Sequence, residues 1–211
     1  MTSSHRARPL AALVCSATLL LAAAAQSRRA ADEFTTEQIV AAAGIRENRT
    51  VCEMGAGSGS LTLAASRIVG PGGRVYTSEL GDERVAALRK SVTSSERPRI
   101  TVVEGAATAT NFPDAACDAL FMRNVYHHFA DPAAMAASIW QAVAPGGRVV
   151  VVDFTPRGGE EAARPEDRSE GQAHGVTPES VARELTGAGF TIVSSERRRD
   201  RSLMVVASKP A

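Results

Sequence analysis

The sequence predicts an α/β chain: a doubly wound sheet of seven strands, mostly parallel, that closes with an antiparallel C-terminal hairpin. Three observations carry this expectation. Short apolar runs alternate with helix-period segments from about Thr35 onward, the pattern of repeated βαβ units. The first run empties into Gly55-Ala56-Gly57-Ser58-Gly59, a turn whose backbone must come close to something. The last two runs are separated only by Glu196-Arg-Arg-Arg-Asp-Arg201, too short for a crossover helix, so they pair antiparallel.

Taken in order, strands are expected over residues 50–54, 74–78, 100–104, 118–122, 148–153, 191–195 and 203–207. Each helix starts where a capping side chain precedes an apolar period. These are Thr35 with Gln38 three residues on, Asp82 ahead of Val85, Leu88 and Val92, Asp131-Pro132 ahead of Met135 and Ile139, and Thr177-Pro178 ahead of Val181 and Leu185. Pro145-Gly146-Gly147 and Gly187-Ala188-Gly189 read as stops before the next strands. Residues 156–175, rich in Gly, Glu and Arg, carry no period and are expected to form one long loop, functional or mobile.

At 211 residues the chain is expected to hold one domain, 26–211, behind an N-terminal extension. Lys and Arg number 24 against 23 Asp and Glu, a net charge of +1, and 44% of residues are hydrophobic. That balance excludes a disordered tail and a polytopic membrane protein. It also supplies no field to hold a phosphate backbone, so nucleic acid is not an expected partner. Cys15, Cys52 and Cys117 lack C-x-x-C spacing, which argues against a disulfide framework or a zinc site. His5, Arg6 and Arg8 precede an uncharged run over 9–25 that ends in Ala23-Ala24-Ala25, the layout of a secretory signal peptide cleaved after Ala25. The mature chain is then expected to be periplasmic or secreted, without stable membrane contact. An uncleaved, membrane-anchoring N-terminus is the alternative.

Thr50 to Ser60 reads as strand, tight turn and helix start, the ligand end of a first βα unit. A dinucleotide fingerprint would put its third glycine or an alanine at residue 60, which is Ser60, so NAD is not indicated. Glu79 ends the second strand 20 residues past Gly59, placed to accept both hydroxyls of a ribose.

On these residues the chain resembles the class I S-adenosylmethionine-dependent methyltransferases, over about residues 36–209, and within them the small-molecule branch. The resemblance implies a Rossmann-like sheet and S-adenosyl-L-methionine as cofactor. Glu53, Gly55, Ala56, Gly57 and Gly59 would cradle its methionine part, and Glu79, with Leu80 beside it, its ribose. Ala106 stands where the family commonly has an Asp for the adenine amine, and Arg123 completes the cofactor set at the end of strand four. Asn124-Val-Tyr-His-His-Phe-Ala-Asp-Pro132 and Ala144-Pro-Gly-Gly-Arg-Val-Val-Val-Val-Asp153 resemble that branch's strand-four exit and strand-five entry. The family topology also sets the strands of Cys52 and Cys117 side by side. Their offset of roughly 10 Å, at about 3.3 Å per residue, exceeds a disulfide's span, so both are expected to stay unpaired.

The reaction implied is in-line attack on a sulfonium methyl by an electron-rich atom, with the enzyme supplying alignment and removal of a proton. Asn124-Val-Tyr-His127 stands where relatives acting on DNA or protein amides carry Asn-Pro-Pro-Tyr, which tells against those substrates, and a small neutral or weakly acidic acceptor is expected. Met122-Arg123 and Asp153-Phe154 replace the acids with which catechol-type relatives hold magnesium, so no metal is expected. His127 and His128, imidazoles just past the fourth strand, are the candidate catalytic residues. His174 is a further candidate to fold over the same pocket, Tyr126 is either a hydroxyl donor or packing, and the arginines of 197–201 read as a solvated hairpin tip. The alternative is an exported non-catalytic domain of the same fold that binds a nucleoside-like ligand.

Overall fold

The computed structural model describes residues 33–93 and 99–211, so the expected signal segment lies outside the described residues. The elements run α1 (Thr36–Ala43), β1 (Thr50–Met54), α2 (Ser60–Val69), β2 (Arg74–Glu79), α3 (Asp82–Thr93), β3 (Ile100–Glu104) and β4 (Cys117–Arg123). A 3-10 turn (Tyr126–His128), α4 (Pro132–Ala142), β5 (Val143–Phe154), a second 3-10 turn (Pro165–Ser169), α5 (Pro178–Gly187), β6 (Thr191–Arg197) and β7 (Ser202–Ser208) follow. Residues Phe34–Ala211 form one compact unit. Among the described residues no helix is long and apolar enough to cross a membrane.

One sheet holds all seven strands in the order β3-β2-β1-β4-β5-β7-β6. β1 through β5 are parallel, and β7 pairs antiparallel with both β5 and β6. Successive side chains point to opposite faces, and here both faces are covered. Leu120, Met122, Val149 and Val151 pack with Met135 and Ile139 of α4 and Val181 and Leu185 of α5. Ala119, Phe121, Val150 and Val152 pack on the other face with Ile39 of α1 and Leu61, Ala65 and Val69 of α2. The order of strands reverses between β1 and β4, and the crevice outside their carboxyl ends is where ligands sit in such sheets.

Every expected strand is present, and three of the four expected caps form, while Asp82 is instead the first residue of α3. Thr35 and Gln38 form a reciprocal capping box, Asp131 accepts from the Ala134 N–H, and Thr177 accepts from the Ser180 N–H. Pro145-Gly146-Gly147 departs from expectation. These residues fall inside β5, in a break between the Val143↔Cys117 and Arg148↔Ala119 pairs, rather than ahead of the strand. The arginine-rich turn is also more engaged than a solvated tip, since the Arg198 guanidinium lies 3.7 Å from the centre of the Phe34 ring.

The expectation of unpaired cysteines is overturned, because Cys52 and Cys117 form a disulfide with Cα atoms 5.7 Å apart. The β1–β4 ladder begins only at Val51↔Ala119, and the register of β4 against β5 shifts between Cys117 and Ala119. Cys117 therefore precedes the regular β1–β4 ladder, and across this irregularity its Cα lies closer to that of Cys52 than the straight strand on which the roughly 10 Å offset rested would allow. Both cysteines are fully buried in the α4–α5 face of the core.

The long loop of 156–175 is anchored rather than free. Arg168, only 3% exposed, pairs with Glu161 within the loop and sends its guanidinium to both carboxylate oxygens of Glu184 on α5, at 2.7 and 3.2 Å. Glu161 in turn accepts from the Thr177 N–H and hydroxyl. A buried cation with two carboxylate partners is one of the few ways an irregular segment can be fixed without an apolar core.

Candidate active site

At the end of β1 the chain turns through Gly55 and Gly57 with φ of 62° and 55°, a left-handed conformation that side chains resist. A Cβ on Gly55 would collide with the side chain of Val125, whereas one on Gly57 would meet only open space. Gly55 is therefore required by its neighbour, and Gly57 keeps a path clear to the backbone. The Gly57 N–H donates to Glu79 Oε1 at 2.6 Å, and the Leu80 N–H donates to Glu79 Oε2 at 3.1 Å. Those bonds fix the carboxylate at the rim of a 440 Å³ cavity lined by Gly55, Glu79, Leu80, Arg84, Ala106 and His128 among others.

The cavity separates the expected cofactor residues into two groups. Gly55, Glu79, Leu80 and Ala106 line it, with Gly57 at its edge. Glu53, Ala56, Gly59 and Arg123 do not line it. Glu53 is 3% exposed beneath the turn and accepts from the Thr62 hydroxyl, which also bonds Thr77 at 2.9 Å. Burial pushes its carboxyl up to about 8, against the opposing effects of that hydroxyl and of the Arg123 charge. It is thus neutral at pH 7 and bonded beneath the turn, outside the cavity lining. Ala56 packs against Leu88 and Val92, its N–H taken by the Ser78 carbonyl. A Cβ on Gly59 would press on those same two side chains at 3.0 and 3.1 Å. Arg123 is exposed at the end of β4. The N–H of Ala106 donates to the Ala109 carbonyl at 2.9 Å, so this position offers a ligand shape but no backbone donor.

Across the crevice, the end of β4 leads into the Tyr126–His128 turn. His127 is 2% exposed, and its Nδ1 lies 2.8 Å from Asp153 Oδ1, while its own N–H donates to Asp153 Oδ2 at 3.2 Å. Asp153 is the penultimate residue of β5 and is itself 1% exposed. His128 is exposed and lines the cavity, its ring centre 3.9 Å from that of His127. His174, from the long loop, closes on the same group, 4.9 Å from His127 and 6.5 Å from His128. Partial desolvation and then repulsion from His127 hold the His128 imidazole below its ordinary range, so it is neutral at pH 7. Tyr126 is fully buried against Phe129, 4.9 Å between ring centres, which is packing rather than donation to a ligand.

Sequence reasoning missed two residues. Arg84 reaches the cavity from α3 with its Nε bonded to the Leu80 carbonyl at 3.1 Å, and nothing local to it signals a site. Asp153 was weighed only as an absent metal ligand. In a doubly wound sheet the end of β5 adjoins the exit of β4, so the pair Asp153 and His127 was there to be found from topology. Among the described residues no three His, Cys, Asp or Glu side chains are placed to hold a metal ion.

Residues 52–151 match the family model described as a methyltransferase domain. The ubiquinone/menaquinone biosynthesis C-methyltransferase of Enterobacter sp. (strain 638) is 27% identical over 117 residues, 55% of this chain and 47% of the relative. The chain thus spans about half the length of the curated relatives it matches. A SAM-dependent methyltransferase from Aquifex aeolicus superposes with a TM-score of 0.71 at 20% identity, covering 84% of this chain and 90% of the other. A Haemonchus contortus phosphoethanolamine N-methyltransferase 2 in complex with S-adenosyl-L-methionine gives 0.67 at 17% identity, covering 83% and 52%. The glycine turn, its carboxylate and the cavity beside them therefore sit in a chain with the seven-stranded fold seen in S-adenosylmethionine-dependent methyltransferases, and residues 52–151 match the model of a methyltransferase domain.

Proposed function

We propose that the protein is an exported S-adenosylmethionine-dependent methyltransferase acting on a small molecule. The single observation that carries the reading is the cradle itself: a carboxylate held by the Gly57 and Leu80 N–H groups at the edge of a cavity that a Cβ on Gly55 would encroach upon through Val125. That set fits the cofactor, whose bound form supplies a sulfonium methyl open to nucleophilic attack. Glu79 accepts from the ribose hydroxyls, Gly55 and Gly57 allow close backbone approach, and Leu80 and Ala106 give apolar walls. His128, neutral and facing the cavity, takes the proton of the acceptor, while Asp153 orients His127 behind it. Export is supported by the basic, apolar and small-residue order of residues 5–25 and by a buried disulfide, which persists in oxidising compartments.

Titration calorimetry with S-adenosylhomocysteine tests the reading. Binding is expected in the wild-type protein, and Glu79→Ala is expected to weaken it by about 1.5–3 kcal/mol, roughly 10- to 150-fold. Absence of heat from the folded wild type would end the cofactor assignment, and binding without transfer to any extract would favour a non-catalytic binding domain.

A further inference from the structure

Next to the imidazole group lies another cleft, of 330 Å³, lined by Phe154, Arg157, Gly171, Gln172, His174 and Arg201. Its lining carries two guanidiniums and one imidazole and no carboxylate. Arg157 is exposed, and Arg201 gives one nitrogen to the Thr155 carbonyl at 2.7 Å while its guanidinium stands 5.8 Å from the Phe154 ring centre. Arg201 also holds a left-handed backbone, φ 80°, kept in place by its N–H on the Arg198 carbonyl and by the Thr155 N–H and hydroxyl on its own carbonyl. The His174 Nε2 is a second unusual feature, a buried nitrogen with no hydrogen-bond partner among the described residues.

We propose that this cleft is the acceptor subsite and takes a small planar carboxylate, its anion between Arg157 and Arg201 and its ring against Phe154 and His174. The word acceptor rests on the methyltransferase reading; the anion site does not. A guanidinium fork matches a carboxylate, and Phe154 and His174, 5.0 Å apart and perpendicular, offer one face and one edge to a flat ring. His174 lines this cleft and His128 lines the donor cavity, their ring centres 6.5 Å apart. An acceptor anchored by its anion thus presents its far end beside His128. The acceptor expected from sequence was neutral or weakly acidic; the cleft's charge moves the assignment to an anion.

The test is an NMR titration of the full protein with benzoate and, separately, its neutral isostere benzamide, each with and without saturating S-adenosylhomocysteine. Benzoate is expected to bind about tenfold more tightly than benzamide. Arg157→Gln is expected to erase most of that preference while leaving S-adenosylhomocysteine affinity within twofold. Arg201→Gln should do the same, and should it fail to fold because Thr155 loses its partner, Arg157→Gln alone decides. Equal binding of the two probes, no binding of benzoate, or an unchanged preference in Arg157→Gln would overturn the proposal. A retained preference for benzoate in a protein that binds no S-adenosylhomocysteine would uphold the anion site and remove the methyltransferase reading.

Discussion

The two sides of the crevice are held by different means. On the donor side, at the ends of β1 and β2, the Glu79 carboxylate is held by the backbone N–H groups of Gly57 and Leu80, and the Ala56 N–H bonds the Ser78 carbonyl. On the acceptor side, at the ends of β4 and β5, the holding groups are side chains: the His127 ring on the Asp153 carboxylate, 26 residues on, and the Arg201 guanidinium on the Thr155 carbonyl, 46 residues back. A backbone cradle depends on a few glycines and one carboxylate, so it is written compactly into the chain. A pocket for a variable acceptor depends on side chains from separate loops, which a fixed sheet brings together and which can change one at a time.

The largest expected effect tests whether the chemistry belongs to the acceptor side. Once an acceptor is known, His128→Ala is expected to lower kcat by 10²- to 10⁴-fold, about 3–5 kcal/mol, with S-adenosylhomocysteine affinity nearly unchanged. Because the imidazole is held below its ordinary 6.5, the rise of kcat with pH should be complete by about neutrality in the wild type. Wild-type turnover in the variant would assign the proton transfer elsewhere and blur the division between the two sides.

The disulfide joins those sides, tying β1 to β4 across 65 residues. Cys117→Ser is expected to cost about 2–4 kcal/mol in urea unfolding, since a closed loop of this length restricts the unfolded chain. Cofactor binding by the folded variant should persist, because neither cysteine lines the cavity. A stability loss well under 1 kcal/mol would show that packing of the two strands suffices without the bond.

A third effect, seen only as a pH dependence, concerns the prop beneath the glycine turn. Glu53 titrates near 8 in the folded protein against an ordinary 4.5, so folding takes up a proton between those values. Its contribution is therefore unfavourable as pH rises from about 4.5 to 8, and constant above that. Glu53→Gln keeps an acceptor for Thr62 and removes the titration. Its stability relative to wild type should grow from pH 5 to pH 8 in parallel urea titrations, and a difference that does not vary with pH would refute the neutral prop.

The fold and half of the site were legible in the sequence because they depend on local patterns. Alternation of apolar runs, Thr35 with Gln38, Asp131-Pro132 and Thr177-Pro178 set elements and boundaries within a residue or two at most strand ends. The glycine turn and Glu79 were legible because close approach and positive φ restrict the residue type at each position. His127 and His128 were legible as a pair, but not their division of labour, since adjacent residues differ only in which one the tertiary structure buries.

By itself, then, the sequence determined the doubly wound sheet, its hairpin edge, the glycine cradle and the position of the imidazoles. Only the tertiary structure decided that Glu53 lies under the turn, that Arg123 stays outside the cavity, that Asp153 orients His127, and that Arg168 pins the long loop to α5. It also decided the disulfide, because a register break at the start of β4 moved Cys117 by more than regular strand spacing allows. The physical reason is common to all of these. Periodicity, capping and glycine turns are properties of neighbours along the chain, whereas burial, register and side-chain pairing over tens of residues exist only after the sheet has closed.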